Sequence, residues 1–373
     1  MSRAGSVTHV GAGEKLDYLA PYNDGLISLL GTAARICAKD PSQAAYMLKV
    51  MNWQRRAQDT RARWEKQGVH VPPFMIISVT SSCNLHCKGC YAHAQARAEK
   101  GDMDDATLTR ALDEGRELGI SVVMLAGGEP LVRKGLLDVA ARYPEIIFPM
   151  FTNGVLIDGA MADRLRRLRN VVPVISVEGR QDVTDDRRGD GVWARISRAA
   201  VQLQQARVFF GASLTVRRDT VNMITSDEFV SDFVSSGCRI FFFVEYVPVE
   251  EGTQEWELTP NQRGELMARV ESLRSRMPAL FVAFPGDEEA TGGCLAAGRG
   301  FVHISSGGDV EPCPFAPYSD ASLGGMSLKD ALNSSFLKSI RDHHEELGET
   351  TGGCALFRRR ELVAALLSES QRR

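Results

Sequence analysis

Three cysteines at CxxxCxxC spacing, Cys83, Cys87 and Cys90, are the residues with the clearest chemistry in this chain of 373 residues. They follow a short, apolar and largely β-branched run at 74–79, which comes directly after Pro72 and Pro73 and predicts a buried strand. A loop that leaves the end of a parallel strand is where α/β proteins place their chemistry. We therefore expect the three thiols to lie together on a loop at the carboxyl end of a strand.

Thiolates are soft ligands that suit iron–sulfur clusters and zinc. Three of them on a tight loop can hold three irons of a [4Fe-4S] cube and leave the fourth iron open. A structural zinc site normally has four nitrogen or sulfur ligands, and the candidates for a fourth here, His86 and His93, form no second ligand pair. The residues favour an iron–sulfur cube, with a zinc knuckle or an accidental cysteine cluster as the alternative.

The motif is followed by an aromatic residue, Tyr91, and in this form it resembles the signature of the radical S-adenosylmethionine (SAM) superfamily. In that family the open iron chelates the amino and carboxylate groups of SAM, and an electron from the cluster splits the sulfonium C–S bond to give a 5′-deoxyadenosyl radical. The resemblance implies an enzyme that abstracts hydrogen from an unactivated substrate carbon. It also implies a low-potential electron donor such as flavodoxin or ferredoxin.

Composition is that of a soluble protein with a large core, because 44% of the residues are hydrophobic. A formal net charge of −3 gives no sign of a nucleic-acid partner. The eight cysteines, without an export signal at the N-terminus, indicate metal in a reducing compartment rather than a disulfide framework. No apolar run reaches the length of a membrane span. We expect a cytoplasmic protein.

The chain divides into three predicted parts: an N-terminal helical segment at 1–72, a core domain at 73–258 and a C-terminal extension at 259–373. In the first part, Asp40-Pro41-Ser42 predicts the start of a long helix that runs toward Gly68, after a shorter helix near 25–36. In the core, strands and helices alternate over six β/α units. The resemblance implies a partial (β/α)6 barrel of the TIM type, whereas the alternation alone equally permits an open doubly wound sheet.

Glycines and polar residues stand at the predicted strand ends, where ligands bind in parallel α/β proteins. Residues 126–130, AGGEP, resemble the family's GGEP segment, and 152–154, TNG, resemble its TNG turn; each alone is an ordinary turn. By resemblance, Glu129 serves the amino group of SAM or fixes its loop, and Arg217 pairs with the SAM carboxylate or is a surface arginine. Ser176 and Glu178 are candidates for the ribose hydroxyls or the carboxylate. The expected SAM-binding residues are Tyr91, Gly127, Gly128, Glu129, Asn153, Ser176, Glu178 and Arg217.

Residues 187–191, RRGDG, lie between the fourth strand and its helix. Their charges predict a solvated loop in preference to contacts with an anionic substrate.

A second set of cysteines lies in the extension. Cys294, Gly308 and Cys313 are spaced as in a hairpin with a cysteine on each side, which resembles the Twitch or SPASM extensions that hold auxiliary iron–sulfur clusters. Cys354 is the expected third ligand. Three alternatives remain for the fourth ligand position of the auxiliary cluster. It is open for substrate, it is filled by Cys238, His343, His344 or a carboxylate, or the extension is vestigial and binds no metal. Unless they bind metal, Cys37 and Cys238 are expected to be buried small hydrophobic residues.

Together these features predict a radical SAM enzyme that acts on a peptide or a cofactor precursor, with catalytic residues that the sequence does not identify. The alternative is a non-catalytic protein that binds zinc or relays electrons through iron–sulfur clusters.

Overall fold

The computed structural model describes residues 29–36, 38, 40–95, 101–291, 293–347 and 353–372. Within these residues, nine strands form one sheet in the order β7-β6-β5-β4-β3-β2-β1-β8-β9. The strands are β1 (Phe74–Ser78), β2 (Val122–Ala126), β3 (Phe148–Thr152), β4 (Val171–Val177), β5 (Phe210–Val216), β6 (Cys238–Glu245), β7 (Leu280–Phe284), β8 (Phe301–Ile304) and β9 (Val310–Glu311).

The strand order decides between the two architectures that alternation allows. Strands β1 to β6 are neighbours in chain order and all pair in parallel, so every crossover proceeds in the same direction around the sheet. A doubly wound sheet reverses its strand order at a switch point. The expected partial (β/α)6 barrel is confirmed, and it places the carboxyl ends of all six strands at one rim.

Helices cover the outer face of the sheet. They are α1 (Pro41–Glu65), α2 (Tyr91–Ala94), α3 (Asp105–Leu118), α4 (Leu136–Ala141), α5 (Gly159–Leu168), α6 (Gln181–Arg188), α7 (Val192–Gln205), α8 (Val221–Ile224), α9 (Asp227–Ser235), α10 (Pro260–Arg276), α11 (Leu328–Leu332), α12 (Ser335–Asp342), α13 (His344–Leu347), α14 (Ala355–Arg358) and α15 (Arg360–Ser370). Short 3-10 turns occur at Pro130–Val132, Gln254–Trp256 and Gly286–Thr291.

Several helix starts are set by capping side chains. Asp104 and Asp158 accept hydrogen bonds from the first turns of α3 and α5, and Thr259 forms a capping box with Gln262 at α10. Asp40 likewise caps α1, which confirms the predicted long helix. Part of the shorter helix lies at 29–36; its first residues and Cys37 lie outside the described residues.

The two faces of the sheet have different partners. Residues such as Ile77, Leu125 and Leu214 pack against the outer helices in the main core. The alternate positions point inward. There, Met124, Val174 and Phe242 line a mainly apolar cavity of about 660 Å³, together with residues of the helix at 29–36.

The C-terminal extension is built into the same sheet. β8 pairs in parallel with β1 along Phe74–Ile77, and β9 turns back antiparallel to β8, which confirms the predicted hairpin. Fully buried His303 on β8 bridges Ser78 Oγ on β1 and Glu311 on β9, with both contacts at 2.8 Å. None of the described helices is both long and apolar enough to cross a membrane.

Candidate active site

The loop after β1 carries Cys83, Cys87 and Cys90 and is held by contacts outside its own sequence. Asp102 accepts hydrogen bonds from Thr80 Oγ1, Ser81 N and Ser81 Oγ at 2.5 to 2.9 Å. The backbone N–H of Leu85 points at Cys83 Sγ, with 3.4 Å between the two atoms. Cys90 precedes α2 as its N-cap residue. Contacts within the protein therefore fix the conformation of this loop without a ligand.

The Gly127-Gly128 turn after β2 lies directly against this loop. Gly128 N donates to Thr80 O at 2.8 Å, and Glu129 N donates to Ser82 O at 2.9 Å. A Cβ at Gly128 would lie 2.1 Å from Ser82 O, and one at Gly127, where φ is +124°, would lie 2.3 Å from Thr80 O. Only glycine permits this approach, because any side chain would push the two backbones apart.

Glu129 is buried and fixes the turn that follows β3. Its carboxylate accepts hydrogen bonds from Thr152 Oγ1 and Asn153 N, each at 2.7 Å, and from Leu131 N at 3.1 Å. Burial raises the pKa of Glu129, although these three bonds oppose the rise. The Asn153 amide in turn donates to Asn84 Oδ1 in the cysteine loop at 2.7 Å. Glu129 and Asn153 therefore tie three strand ends together.

Glu178, at the end of β4, is the most strongly perturbed acid of this rim. Its Oε1 accepts from Arg187 Nη1 at 2.6 Å and from Arg188 Nη2 at 2.5 Å. Its Oε2 is buried and has no hydrogen-bond partner among the residues that the structure describes. Burial raises the pKa of this carboxyl, but the two guanidinium groups outweigh it and lower the pKa to about 2. A carboxylate with one engaged and one unengaged oxygen is prepared to accept a further hydrogen bond.

The expectation of a solvated loop at 187–191 is wrong for its two arginines. They end α6, and their side chains are only 8% and 11% exposed. Arg187 Nε also donates to Lys88 O at 3.0 Å. Both arginines lower the pKa of Cys87, which burial raises more strongly. Charged side chains are buried here because they bracket Glu178 and hold the cysteine loop.

The remaining expected SAM contacts are more scattered. Ser176 is half buried and lies on the inward face of β4, beside Ser213 of β5. Arg217 is buried rather than on the surface; it pairs with Asp219 and lies 4.5 Å from the ring centre of Trp256. The Tyr91 ring packs edge-on against Phe315 of the extension, with 5.3 Å between ring centres. Tyr91 thus connects the cysteine loop to the second cysteine set.

The three extension cysteines come from three separate segments. Cys294 precedes β8, Cys313 follows β9 and Cys354 is the N-cap residue of α14. The neighbouring Cys354 thiol and burial raise the pKa of Cys313 well above its usual range. Burial also raises the pKa of Cys294, and the nearby Glu288 and Cys354 add to the rise. The fold therefore brings all three thiols together.

Among the described residues, no three His, Cys, Asp or Glu side chains converge as ligands of one metal ion. In a cubane, each cysteine would bind a different iron corner.

Comparison with known proteins agrees with this chemistry. Residues 77–224, which contain the cysteine loop and the strand ends described above, match the model of the radical SAM superfamily. The chain belongs to the radical SAM superfamily. Its α/β partial barrel and its cysteine loop are therefore those of a radical SAM enzyme.

Relatives of this radical SAM enzyme extend beyond the matched segment. The AdoMet-dependent heme synthase of Methanosarcina barkeri is 24% identical over 311 residues, which cover 75% of this chain and 88% of the relative. The PqqA peptide cyclase of Gluconobacter oxydans is 26% identical over 254 residues, covering 65% and 70%. The crystal structure of Streptococcus suis SuiB has a TM-score of 0.62 at 18% identity and covers 77% of this chain and 72% of its own, a likeness of fold.

Radical SAM enzymes use a [4Fe-4S] cluster and SAM, and the residues present fit both. The loop offers three free thiols, and the buried Glu178 Oε2, which has no hydrogen-bond partner among the described residues, can accept a hydrogen bond from a ligand. When bound, the two cofactors supply the 5′-deoxyadenosyl radical that abstracts hydrogen.

Sequence reasoning missed three contributors to this radical SAM site. Arg187 and Arg188 were assigned to a solvated loop, and Asp102 lies on no predicted strand end. A signal for the arginines existed in the acid at the end of β4, because a buried Glu178 requires a cationic partner. Nothing in the local sequence around Asp102 indicates its role.

Proposed function

We propose that Cys83, Cys87 and Cys90 hold the [4Fe-4S] cluster of this radical SAM enzyme and that SAM lies across the ends of β2 to β5. The observation that carries the assignment is the half-engaged carboxylate of Glu178 beside the cysteine loop. A buried oxygen without a donor is costly, and a ribose hydroxyl would supply the donor.

The roles of the other rim residues follow from their contacts. Gly127 and Gly128 let the turn after β2 pack against the backbone of the cysteine loop, and Glu129 holds the turn after β3. The Arg188 side chain places positive charge beside Cys87 and Glu178, where the SAM carboxylate would be attracted. Arg217 is not assigned this role, because its guanidinium pairs with Asp219 and the arginines that lower the pKa of Cys87 are Arg187 and Arg188. Ser176 faces the same interior and is assigned to the ribose side.

We assign a second [4Fe-4S] cluster to Cys294, Cys313 and Cys354. The support is that three thiols from distant segments meet in the extension, in a protein whose β8–β9 hairpin lies between the first two. Cysteine thiolates are the ligands that hold iron–sulfur clusters in proteins.

For the substrate, we propose a heme precursor or a peptide, the classes that the names of the relatives indicate. The apolar cavity of about 660 Å³ is not assigned to the substrate, because its lining on β1, β2 and β4 includes Phe74, Val122 and Val171 at the amino ends of the strands, opposite the cysteine loop. We further propose a flavodoxin or ferredoxin as the reductant. We also propose a cytoplasmic location, because free thiols persist in a reducing compartment.

The assignment is tested by purification and reconstitution without oxygen. We expect the protein to bind iron and sulfide at both centres and, after reduction, to convert SAM into 5′-deoxyadenosine. Changing Cys83, Cys87 and Cys90 together to Ala should abolish this conversion and retain the iron of the extension. The matched control is Cys238→Ala, which removes a fully buried thiol at the start of β6 and should leave conversion intact.

The opposite pattern contradicts the assignment. If the triple variant still cleaves SAM, the cluster lies elsewhere. The assignment is also wrong if Cys238→Ala loses cleavage while its circular dichroism spectrum shows an unchanged fold. The substrate class is tested separately, by asking whether heme precursors or peptides raise the rate of 5′-deoxyadenosine formation.

A further inference from the structure

The auxiliary cysteines supply three ligands, so the identity of a fourth decides what this centre can do. Cys313, Cys354 and Cys294 are near enough for Cys354 and Cys294 to raise the pKa of Cys313 and for Cys354 to raise that of Cys294. A [4Fe-4S] cube with three thiolates has one iron that another protein group, a substrate or solvent must cover.

A buried carboxylate stands beside this trio. Glu288 is 7% exposed, and its side chain forms hydrogen bonds with the Cys294 thiol and with the backbone N–H of Leu295. It belongs to the 3-10 turn Gly286–Thr291, which follows β7. Buried carboxylates are rare in proteins unless they bind cations or metals.

The loop between Glu288 and Cys294 is closed by its own backbone. Gly293 N donates to Glu288 O at 3.0 Å, and Arg299 Nη1 donates to Cys294 O at 2.6 Å. These bonds hold the backbone of Glu288 close to that of Gly293 and fix the carbonyl of Cys294.

The other candidate donors point elsewhere. Cys238 is fully buried at the start of β6, and its Sγ lies 3.5 Å from Ile240 O. His343 Nδ1 contacts Ser339 O at 2.8 Å, and His344 Nδ1 contacts Arg341 O at 3.2 Å, so each ring is turned toward the backbone of its own segment. Of the groups considered from sequence, a carboxylate best matches the structure.

We propose that Glu288 is the fourth protein ligand of the auxiliary cluster, binding through a carboxylate oxygen to the iron that Cys294, Cys313 and Cys354 leave uncovered. This inference rests on the auxiliary centre of the proposed function. Carboxylate is a harder ligand than thiolate and binds iron of a cluster less tightly. The fourth iron is thus covered at rest but exchangeable, so that a substrate with its own donor atom can replace Glu288.

The test isolates this centre in the full chain with Cys83, Cys87 and Cys90 changed to Ala. Into this parent we introduce Glu288→Gln, which removes the ligand, and Glu288→Cys, which replaces it by a thiolate. The matched control is Asp287→Asn, because that neighbouring carboxylate pairs with Arg274 instead. Iron content, the electron paramagnetic resonance spectrum and the midpoint potential are measured before and after mild oxidation with ferricyanide.

We expect Glu288→Gln to lose its fourth iron to a [3Fe-4S] form faster than the parent, and Glu288→Cys to resist this loss and to have a lower midpoint potential. Asp287→Asn should behave as the parent does. If Glu288→Gln and Glu288→Cys both match the parent, the ligand is wrong and the auxiliary centre stands. A parent that binds no iron overturns the auxiliary centre and the ligand together, while the assignment of the first cluster is unaffected.

Discussion

Replacing Glu178 by Gln tests the electrostatic centre of the site. The pKa of this carboxyl is lowered from 4.5 to about 2, because Arg187 and Arg188 stabilise its charge by more than burial opposes it. A shift of this size corresponds to about 3 kcal/mol between the charged and neutral forms. The variant, which leaves two buried guanidinium groups without their counter-charge, should therefore lose roughly 3 kcal/mol of unfolding free energy at pH 7.

The lowered pKa also determines in which direction the stability contribution of Glu178 changes with pH. Since the folded-state pKa is the lower one, the contribution of Glu178 is complete above about pH 4.5 and is lost as the pH falls toward 2. Urea unfolding of the protein without cofactors, followed by circular dichroism, should show a gap between wild type and variant that narrows over this interval. Glu228→Gln is the control, because its pair with Arg180 is exposed and should contribute only a small fraction of that loss. Equal losses in both variants, or a gap that does not change with pH, would refute the reasoning.

Three further predictions follow from the same contacts. Gly128→Ala should displace the cysteine loop and reduce the iron bound at the first centre, because the new Cβ would meet Ser82 O. Gly264→Ala, which has open space around it, should keep its iron. Iron analysis of both variants tests this prediction. Glu178→Gln, once reconstituted, should bind SAM about tenfold or more weakly through loss of a charged acceptor, as equilibrium dialysis would reveal; unchanged affinity would remove Glu178 from the SAM site. His303→Phe should lower the unfolding free energy by roughly 2 kcal/mol, because the buried hydroxyl of Ser78 loses its partner, and an unchanged urea midpoint would contradict this.

Where local sequence determines structure, prediction from the sequence succeeded. β4, Val171–Val177, coincides with the largely apolar run that follows helix α5, whose N-cap residue is Asp158. The cysteine loop, the glycine turn and the TNG turn were all expected at the rim, and the structure brings them into direct contact. The predicted domain limits at 72 and 258 stay predictions.

Helix α6 shows why other features were missed. Its sequence, QDVTDDRR, has only one apolar residue and no helical periodicity, so a loop was the reasonable interpretation. Its arginines become buried only because Glu178 and the cysteine loop surround them, which is a tertiary effect. The pairing of β8 with β1 joins residues more than 220 positions apart, and no local pattern encodes such a partner.

The insertion of β8 beside β1 limits how this protein can be shortened. The strand that leads into the cysteine loop has hydrogen-bonded neighbours on both sides, and one of them comes from the extension. A fragment ending near residue 258 would expose a row of unpaired amides and carbonyls along that strand, and such an edge promotes aggregation with other copies. Anyone seeking a minimal catalytic unit should therefore keep the hairpin, even for experiments in which the extension's own cysteines have been removed.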